Sequence, residues 1–283
     1  MSDGSKAVLI TGCSTGIGRE TALHLARLGG FTVYATARKV ESLAELEEAG
    51  CRTLALDVCD ESSMAAAVHA VEEADGAVWG LVNNAGYSQS GAIESIPLDS
   101  LRRQFETNVF GLIRMCQLVL GGMRARGEGR IVNLSSMGGK LTFPGGGAYH
   151  ATKYAVEALS DAMRFEVKGF GVDVVLIEPG LITTSFGDTA VGSIDEAEDE
   201  GPYAKFNAEV AEATANAYDG PLAKLGGGPD AVAAKIETAL TSERPKARYT
   251  VTPSAKLALT QRRLLSDRMW DRMLTTQFSR PER

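Results

Sequence analysis

The chain has 283 residues, of which 44% are hydrophobic, and its formal net charge is −7 at pH 7. This size and apolar content suit one large α/β domain, and the scattered basic residues argue against a nucleic-acid-binding protein. Four cysteines without a CxxC pair and three histidines without metal-ligand spacing predict neither a metal site nor a disulfide framework. The sequence shows no signal peptide and no membrane span, so we expect a cytoplasmic protein with a small-molecule ligand.

Short apolar runs alternate with segments of helical periodicity along the chain. Strand-helix-strand crossovers of this length predict a parallel sheet with helices on both faces. The predicted strands are residues 7–11, 31–36, 53–58, 79–85, 129–136, 172–180 and 247–252. The predicted helices are residues 17–29, 40–49, 61–74, 98–126 and 148–169. The composition changes after residue 186, and the stretch to about residue 228 indicates an insertion.

The first predicted strand runs into the sequence LITGCSTGIGRE, which places Gly12, Gly16 and Gly18 between a strand and a helix. Positions without side chains let the backbone turn sharply and approach a pyrophosphate, whose charge is favoured at a helix N-terminus. The loop therefore predicts a dinucleotide site. Its spacing is GxxxGxG rather than the more common GxGxxG, and the alternative is a glycine-rich turn that binds nothing.

The end of the second predicted strand indicates which dinucleotide is bound. Arg38 and Lys39 stand about 20 residues beyond Gly18, where NAD-binding proteins carry an acidic residue. A guanidinium can pair with a 2′-phosphate, so NADP(H) is the preferred cofactor and NAD(H) remains possible. Thr15 could bind the same phosphate, and Asp57 could accept a bond from the adenine amino group. The alternative is that Arg38 is only a solvated surface charge.

Six motifs occur in the order and spacing of the short-chain dehydrogenases/reductases: TGCSTGIG, LDV, NNAG, ETNVFG, LSS and YHATK. The chain resembles this family over residues 5–185. Four of its segments look most like the 17β-hydroxysteroid and retinol dehydrogenase branch: VLITGCSTGIG, VYATAR, the stretch after IEPG and the tail that begins ARYTVTPSAKLALTQRRLL. The resemblance implies a single-domain, Rossmann-type doubly wound sheet of about seven parallel strands over residues 1–283. In this arrangement residues 186–228 form a lid over the substrate, and residues 250–283 form a C-terminal extension.

The same resemblance implies a catalytic tetrad of Asn108, Ser136, Tyr149 and Lys153. Ketone reduction needs a proton donor at the carbonyl oxygen, and a phenol serves if its pKa falls from about 10. Lys153 is one helical turn from Tyr149, and its charge would favour the phenolate. Ser136 would polarise the substrate oxygen. Asn108 would hold a water in a proton relay to Lys153, at an irregularity of the helix over residues 98–126.

Motif matching also predicts the cofactor contacts and the substrate wall. The cofactor-binding residues are Gly12, Ser14, Thr15, Gly16, Ile17, Gly18, Arg38, Lys39, Asp57, Val58, Asn84, Ala85, Gly86, Tyr149, Lys153, Pro179, Gly180, Ile182 and Thr184. The backbone of Ile182 and the hydroxyl of Thr184 are expected at the nicotinamide carboxamide. The substrate-binding residues are Ser136, Phe143, Tyr149, Tyr87 and Phe186.

The remaining histidines and one cysteine favour structural roles. His24 and His69 lie on predicted helices without acidic or cysteine partners at useful spacing. His150 is expected at the pocket rim, turned away from Tyr149 by the helical phase. Cys13 is expected to be exposed in the glycine loop, where it has no neighbouring base that could make it a nucleophile.

Together these residues predict an NADP(H)-dependent oxidoreductase that interconverts a hydrophobic secondary alcohol and its ketone, or an alcohol and its aldehyde. One alternative is a non-catalytic NADP(H)-binding regulator. Another is a nucleotide-sugar epimerase or dehydratase, which also uses YxxxK but has a loop nearer GxxGxxG. In the family that the chain resembles, helices 98–126 and 148–169 pair across a two-fold axis, so we expect a homodimer or homotetramer. The predicted apolar stripes include Leu112, Met115, Leu118, Val119, Ala158, Ala162 and Phe165.

Overall fold

In the computed structural model, the described residues are 6–184, 186–194, 201–219 and 224–281. Seven parallel strands form one sheet in the order β3-β2-β1-β4-β5-β6-β7. The strands are β1 (Lys6–Ile10), β2 (Phe31–Ala37), β3 (Arg52–Ala55), β4 (Gly80–Asn83), β5 (Gly129–Leu134), β6 (Val172–Glu178) and β7 (Arg248–Thr250). This order confirms the doubly wound sheet, because the winding reverses between β1 and β4.

The helices that the sequence predicts are all present, and the described residues after 185 form five more. They are α1 (Gly16–Leu28), α2 (Ala44–Glu48), α3 (Glu61–Asp75), α4 (Leu98–Phe105), α5 (Leu112–Arg126), α6 (Gly147–Val167), α7 (Phe186–Gly192), α8 (Ala204–Asp219), α9 (Pro229–Thr241), α10 (Pro253–Leu264) and α11 (Asp267–Leu274). The predicted helix over 98–126 is interrupted by a π-helical turn at Glu106–Gly111. Within the described ranges, no helix combines the length and apolar content that a membrane crossing needs.

Two hydrophobic clusters cover the two faces of the sheet. Alternation along β1 sends Ala7 and Leu9 to one face and Val8 and Ile10 to the other. Helices α3, α5 and α6 pack on the first face, and α1 and α9 pack on the second. The inner strands of the sheet therefore have helices packed on both faces, which explains why their sequences are nearly continuous apolar runs.

Five predicted strands extend two or more residues beyond the ladder that the structure forms, including 247–252, which ends at Thr250. The run 79–85, for example, leaves the sheet after Asn83, because the backbone N–H groups of Asn84 and Ala85 donate to Thr11 Oγ1 (3.0 Å each). The runs 53–58, 129–136 and 172–180 end at Ala55, Leu134 and Glu178. The residues that follow each strand form the loops at the carboxyl edge of the sheet, where ligands bind in open α/β sheets.

Part of the predicted apolar stripe is wrong. Leu112, Met115 and Val119 lie in the core, because they face the sheet and pack with the first hydrophobic cluster. Large apolar side chains on the outer side of these helices are contributed by Phe110, Tyr154, Leu159 and Phe165. The smaller Ala158 and Ala162 are exposed beside them.

Candidate active site

A cleft of about 1580 Å³ opens at the carboxyl ends of the strands, on both sides of the β1/β4 reversal. All predicted site residues line this cleft except Gly18, Lys39 and Asn108. Gly18 and Asn108 lie directly behind its wall, whereas Lys39 is an exposed side chain outside the lining. The structure therefore brings the separate sequence motifs to one place.

The glycine loop is shaped by close packing as much as by its backbone angles. Gly12 has a φ of +73°, and a Cβ there would come within 2.9 Å of Ala85 Cα. A Cβ on Gly18 would overlap the Gly12 carbonyl oxygen and Asn84 Nδ2. Only glycine fits at these two positions, so the first turn of α1 can lie against the loop.

Thr11 and Asn84 hold the loop in place, and Thr11 is not among the site residues predicted from the sequence. Thr11 Oγ1 accepts hydrogen bonds from the backbone N–H groups of Asn84 and Ala85. Asn84 Nδ2 donates to the backbone oxygens of Thr11 and Gly12 (2.9 Å each). The side chain of Asn84 thus has a structural role within the predicted cofactor site. The buried threonine of the LITG sequence was the available signal for this contact.

Cys13 is buried rather than exposed in the loop. Its thiol donates to the Ile10 carbonyl oxygen, and its backbone N–H donates to the Thr36 oxygen. Burial raises the pKa of Cys13 to about 12. The side chain belongs to the core beneath the loop and is not a reactive thiol.

A dinucleotide fits the shape and the donors of this half of the cleft. Gly12, Gly16 and Ile17 line it at the start of α1, and Thr15 at the N-cap makes no side-chain capping hydrogen bond within the described chain. The N–H groups of the first turn therefore face the position where a pyrophosphate would bind. Arg38 also lines this half of the cleft.

Charged groups gather at one end of the cleft. Asp57, Arg38 and Glu106 surround Cys59, and Asp57 Oδ1 accepts a hydrogen bond from the Cys59 backbone N–H (2.9 Å). Among the described lining residues beyond residue 184, by contrast, none is Asp, Glu, Lys, Arg or His. The lining changes from charged to neutral between the predicted adenosine end and the predicted substrate end.

Asn108 lies on the π-helical turn, which confirms the predicted irregularity. Its Oδ1 accepts from the Tyr87 backbone N–H (3.1 Å), and its Nδ2 donates to the Tyr87 oxygen (2.9 Å). Nδ2 also donates to Thr152 Oγ1 (3.1 Å), and Thr152 Oγ1 donates to the backbone carbonyl oxygen of Tyr149 (2.7 Å). Asn108 therefore connects the loop after β4 to helix α6. A water bound here remains a prediction.

Lys153 is buried behind Tyr149, with 6% of its surface exposed. Its Nζ donates to the Leu134 oxygen (2.8 Å) and lies 5.7 Å from the centre of the Tyr149 ring. Burial lowers the pKa of Lys153 to about 8, and the nearby Glu157 carboxylate partly opposes this effect. The ammonium is thus fixed where it can act on the phenol through a short, poorly hydrated path.

The two serines of LSS have different environments. Ser136 lines the cleft, and its Oγ accepts a hydrogen bond from the Gly138 N–H (3.0 Å). Ser135 is buried, and its Oγ has no hydrogen-bond partner within the described chain. Both residues border the cleft, and Ser136, the less buried of the two, is the serine that the resemblance implies for substrate contact.

A cluster of ion pairs joins helix α6 to the end of β6. Arg248 Nε lies 3.0 Å from Glu157 Oε2 and 3.3 Å from Glu178 Oε1. Lys140 Nζ lies 3.6 Å from an oxygen of each of these carboxylates. The cluster fixes α6, the helix that carries Tyr149 and Lys153, against the strand that leads to Pro179.

Aromatic side chains form the wall of the cleft around Tyr149. Phe186 packs edge-on against the Tyr149 ring at 5.4 Å between centroids, and Phe143 lies 5.9 Å from Trp270. Trp270 Nε1 donates to the Thr142 oxygen (3.3 Å), so helix α11 is attached to the loop before α6. Other apolar lining residues come from the neighbourhood of α8 and the C-terminal helices. They are Val210, Ala213, Ala217, Leu225, Leu257, Ala258, Met273 and Phe278.

No cluster of three or more histidine, cysteine or carboxylate groups suited to a metal occurs in the part of the chain that the structure describes. The positions of Tyr149, Lys153 and Ser136 beside the cleft support acid-base chemistry next to a bound dinucleotide. A hydride acceptor or donor is the chemistry that such a cofactor brings.

Comparison with known proteins agrees with this site. The family model of the short chain dehydrogenases matches residues 6–192. The uncharacterized oxidoreductase YbbO of Escherichia coli K12 is 38% identical over 95% of this chain and 94% of its own length. The NADPH-dependent 3-dehydrocapnine reductase of Ornithobacterium rhinotracheale is 34% identical over 94% of each chain. Human 17-beta-hydroxysteroid dehydrogenase type 1 is 36% identical over 87% of this chain and 77% of its own.

Solved structures give the same result. A short-chain dehydrogenase from Streptomyces avermitilis superposes with a TM-score of 0.80 at 36% identity, over 97% of this chain and 96% of that one. A serine dehydrogenase in complex with NADP+ superposes with a TM-score of 0.75 at 27% identity, over 87% and 94%. Since the family model spans more than half of the chain and the relatives align almost end to end, the chain belongs to the short-chain dehydrogenase/reductase family of oxidoreductases.

Proposed function

We propose that the protein is an NADP(H)-dependent oxidoreductase that interconverts a hydrophobic secondary alcohol and its ketone, or an alcohol and its aldehyde. The observation that carries this proposal is the buried Lys153 ammonium, fixed by the Leu134 oxygen and 5.7 Å from the Tyr149 ring. A protein that only bound the cofactor would have no use for a buried charge beside a phenol, because burial of that charge is costly.

Tyr149 is the general acid in reduction and the general base in oxidation. The Lys153 charge favours the phenolate, which brings the proton transfer closer to neutral pH. The hydride transfer would be supplied by a nicotinamide cofactor held in the cleft beside Tyr149 and Lys153. Ser136 Oγ already accepts from the Gly138 N–H, so its own hydroxyl hydrogen is directed to the substrate oxygen, where charge develops.

The neutral end of the cleft supports an uncharged, apolar substrate. Phe143, Phe186 and Trp270 line that end, and the described lining residues after 184 have apolar, hydroxyl or amide side chains, with no Asp, Glu, Lys, Arg or His among them. A carboxylate or phosphate on the substrate would there lose its hydration without a charged partner. The names of two relatives, a 3-dehydrocapnine reductase and a hydroxysteroid dehydrogenase, support the same reaction class.

A panel of hydrophobic ketones, aldehydes and alcohols tests the proposal, with NADPH or NADP+ and the absorbance of the reduced cofactor as the readout. Turnover of an apolar ketone or alcohol is expected. Cofactor binding without any turnover would favour the non-catalytic regulator, and turnover of a nucleotide sugar would favour the epimerase or dehydratase.

Cofactor preference is proposed to favour NADP(H) because Arg38 lines the cleft at its charged end. Arg38→Asp is expected to weaken NADPH binding by about 10-fold to 100-fold, the value of losing a charge-assisted hydrogen bond, and to reverse the preference. Dissociation constants for NADPH and NADH measure this effect. Lys39→Asp is the matched control, since Lys39 lies next to Arg38 but outside the lining. Equal or tighter binding of NADH by the unaltered protein would refute the preference.

Assembly is proposed to be a homodimer or homotetramer through the outer sides of α5 and α6. Phe165 is 88% exposed on α6, Tyr154 and Leu159 are also exposed on α6, and Phe110 is exposed on the π-helical turn before α5. Phe165→Glu is expected to lower the mass measured by light scattering at micromolar concentration. Leu264→Glu on α10, where Leu264 is 78% exposed, should leave the mass unchanged. A monomeric unaltered protein would contradict this proposal.

We further propose one domain over residues 1–283, with 5–185 as the catalytic core, 186–228 as the lid and 250–283 as the C-terminal extension. Support comes from α7 and α8, which border the cleft, and from β7, which returns to the sheet after the lid. Residues 195–200 and 220–223 of the lid lie outside the described residues. We also propose a cytoplasmic location for the protein, because its four cysteines are free thiols.

A further inference from the structure

His150 lies next to Tyr149 but is turned inward, contrary to the rim position expected from the sequence. It is 8% exposed, borders the cleft and has its ring centroid 5.7 Å from that of Tyr149. The rim position was wrong because His150 lies in the first turn of α6, where the loops that contain Gly138 and Gly146 cover its side chain. The tetrad mechanism assigns no role to this buried imidazole.

The hydrogen bond of His150 defines its tautomer. Nδ1 lies 3.0 Å from the Gly138 carbonyl oxygen. A carbonyl oxygen can only accept, so Nδ1 carries the proton and donates, and in the neutral ring Nε2 is unprotonated. The ring is bordered by Gly138, Gly146 and Phe143, which carry no charge, and by the titratable Tyr149. Burial lowers the pKa of His150 to about 4, which keeps the ring neutral at physiological pH.

Two glycines provide the space that the ring occupies. A Cβ on Gly138 would overlap His150 Nδ1, and a Cβ on Gly146 would come within 2.6 Å of Nε2. The imidazole therefore fills a slot whose opposite sides have no side chains. A histidine between two glycines is a specific arrangement and differs from a polar side chain that is merely tolerated in a core.

His150 and Ser136 are connected through Gly138. Gly138 accepts from His150 through its carbonyl oxygen and donates to Ser136 Oγ through its N–H (3.0 Å). Within the short turn at Met137–Gly139, both the carbonyl oxygen and the N–H of Gly138 are therefore held by side-chain hydrogen bonds. Movement of Gly138 would change both the direction of the Ser136 hydroxyl and its hydrogen bond.

We propose that His150 is a positioning residue for Ser136: as the neutral Nδ1–H tautomer it holds the Gly138 peptide, which fixes the Ser136 hydroxyl toward the substrate oxygen. The inference rests on the proposed function for the contact between Ser136 and substrate. It does not depend on the identity of the alcohol or ketone.

The kinetic test compares His150→Leu with His150→Asn. Leucine fills the slot without a donor, whereas the asparagine amide offers an N–H near the position of Nδ1. His150→Leu is expected to lower kcat about 10-fold or more, within the 10²-fold that a misplacement of about 1 Å can cost. NADPH affinity and melting temperature should stay close to those of the unaltered protein, and His150→Asn should recover most of the lost kcat. Equal losses in the two variants would overturn the proposal.

A double-mutant cycle with Ser136→Ala shows whether the effect passes through Ser136. In the Ser136→Ala background, His150→Leu should have little further effect on kcat. Multiplication of the two losses would mean that His150 acts independently of Ser136. If Tyr149→Phe abolishes turnover while His150→Leu does not change it, the proposed function stands and this inference fails.

The tautomer can be tested without turnover. The chain has three histidines, so ¹⁵N NMR of the imidazoles can assign His150 by comparison with His150→Asn. One ring should show a protonated Nδ1 and remain neutral between pH 5 and 8. A protonated Nε2 in the neutral ring would overturn the proposal, even if His150→Leu fails to fold.

Discussion

Tyr149→Phe is expected to lower turnover by about 10²-fold to 10⁴-fold, the contribution of a positioned acid or base. The change removes one hydroxyl and keeps the ring that packs edge-on with Phe186 at 5.4 Å. The fold, the melting temperature and NADPH binding should therefore remain almost unaltered. Steady-state kinetics on the best substrate of the panel, with a binding titration of NADPH, measures both parts of the prediction.

Tyr154→Phe is the matched control for this experiment. Tyr154 lies on the same helix but is 43% exposed on its outer side. Its hydroxyl is remote from the proposed chemistry, so activity should not change. If Tyr149→Phe also retained activity within a few-fold of the unaltered protein, Tyr149 would not be the proton donor and the mechanism would be abandoned.

Lys153→Met is expected to lower turnover by a similar factor, about 10²-fold to 10⁴-fold, and also to weaken NADPH binding. The ammonium favours the phenolate of Tyr149, and in the proposed complex it also donates to the hydroxyls of the nicotinamide ribose. Kinetics and an NADPH dissociation constant separate this variant from Tyr149→Phe, which should change turnover alone. Lys235→Met, at an exposed lysine of α9, controls for loss of a positive charge. Unchanged NADPH affinity in Lys153→Met would contradict the second role.

The stability of Lys153→Met should depend on pH in a defined direction. Burial lowers the folded-state pKa of Lys153 from 10.5 to about 8, so between these values the unfolded chain binds the proton and the folded protein does not. The free energy of unfolding of the unaltered protein therefore increases as the pH rises from about 8 to 10.5. Relative to it, Lys153→Met should be most stable below pH 8 and lose that advantage toward pH 10.5. Denaturant unfolding at pH 7 and pH 10 measures the difference.

Alkaline pH should also favour alcohol oxidation, because the phenolate of Tyr149 is the base in that direction. The Lys153 charge that favours the phenolate is itself lost as pH rises through its pKa of about 8. The advantage should therefore be limited at high pH, and rates of oxidation and reduction between pH 6 and 10 would show it.

The sequence by itself determined the features that depend on local spacing. The apolar run at 7–11 and the helical periodicity of 17–29 predicted β1 and α1 to within one residue at each end, because a strand covered on both faces is continuously apolar and a half-buried helix repeats its apolar residues every 3.6 positions. The glycines after β1 were required by positive φ or close approach. The four-residue separation of Tyr149 and Lys153 places both on one side of α6, so their pairing could also be read from the chain.

The tertiary structure decided the features that join residues distant in the chain. Thr11 and Asn84, which follow the neighbouring strands β1 and β4, form a hydrogen bond, and Trp270 donates to the backbone oxygen of Thr142. Such contacts carry no periodic signal, since they depend on how loops and helices from separate crossovers pack at one edge of the sheet. His150 is the clearest case, because helical phase alone turned it outward, whereas the loop that contains Gly138 covers it and gives its imidazole a hydrogen bond.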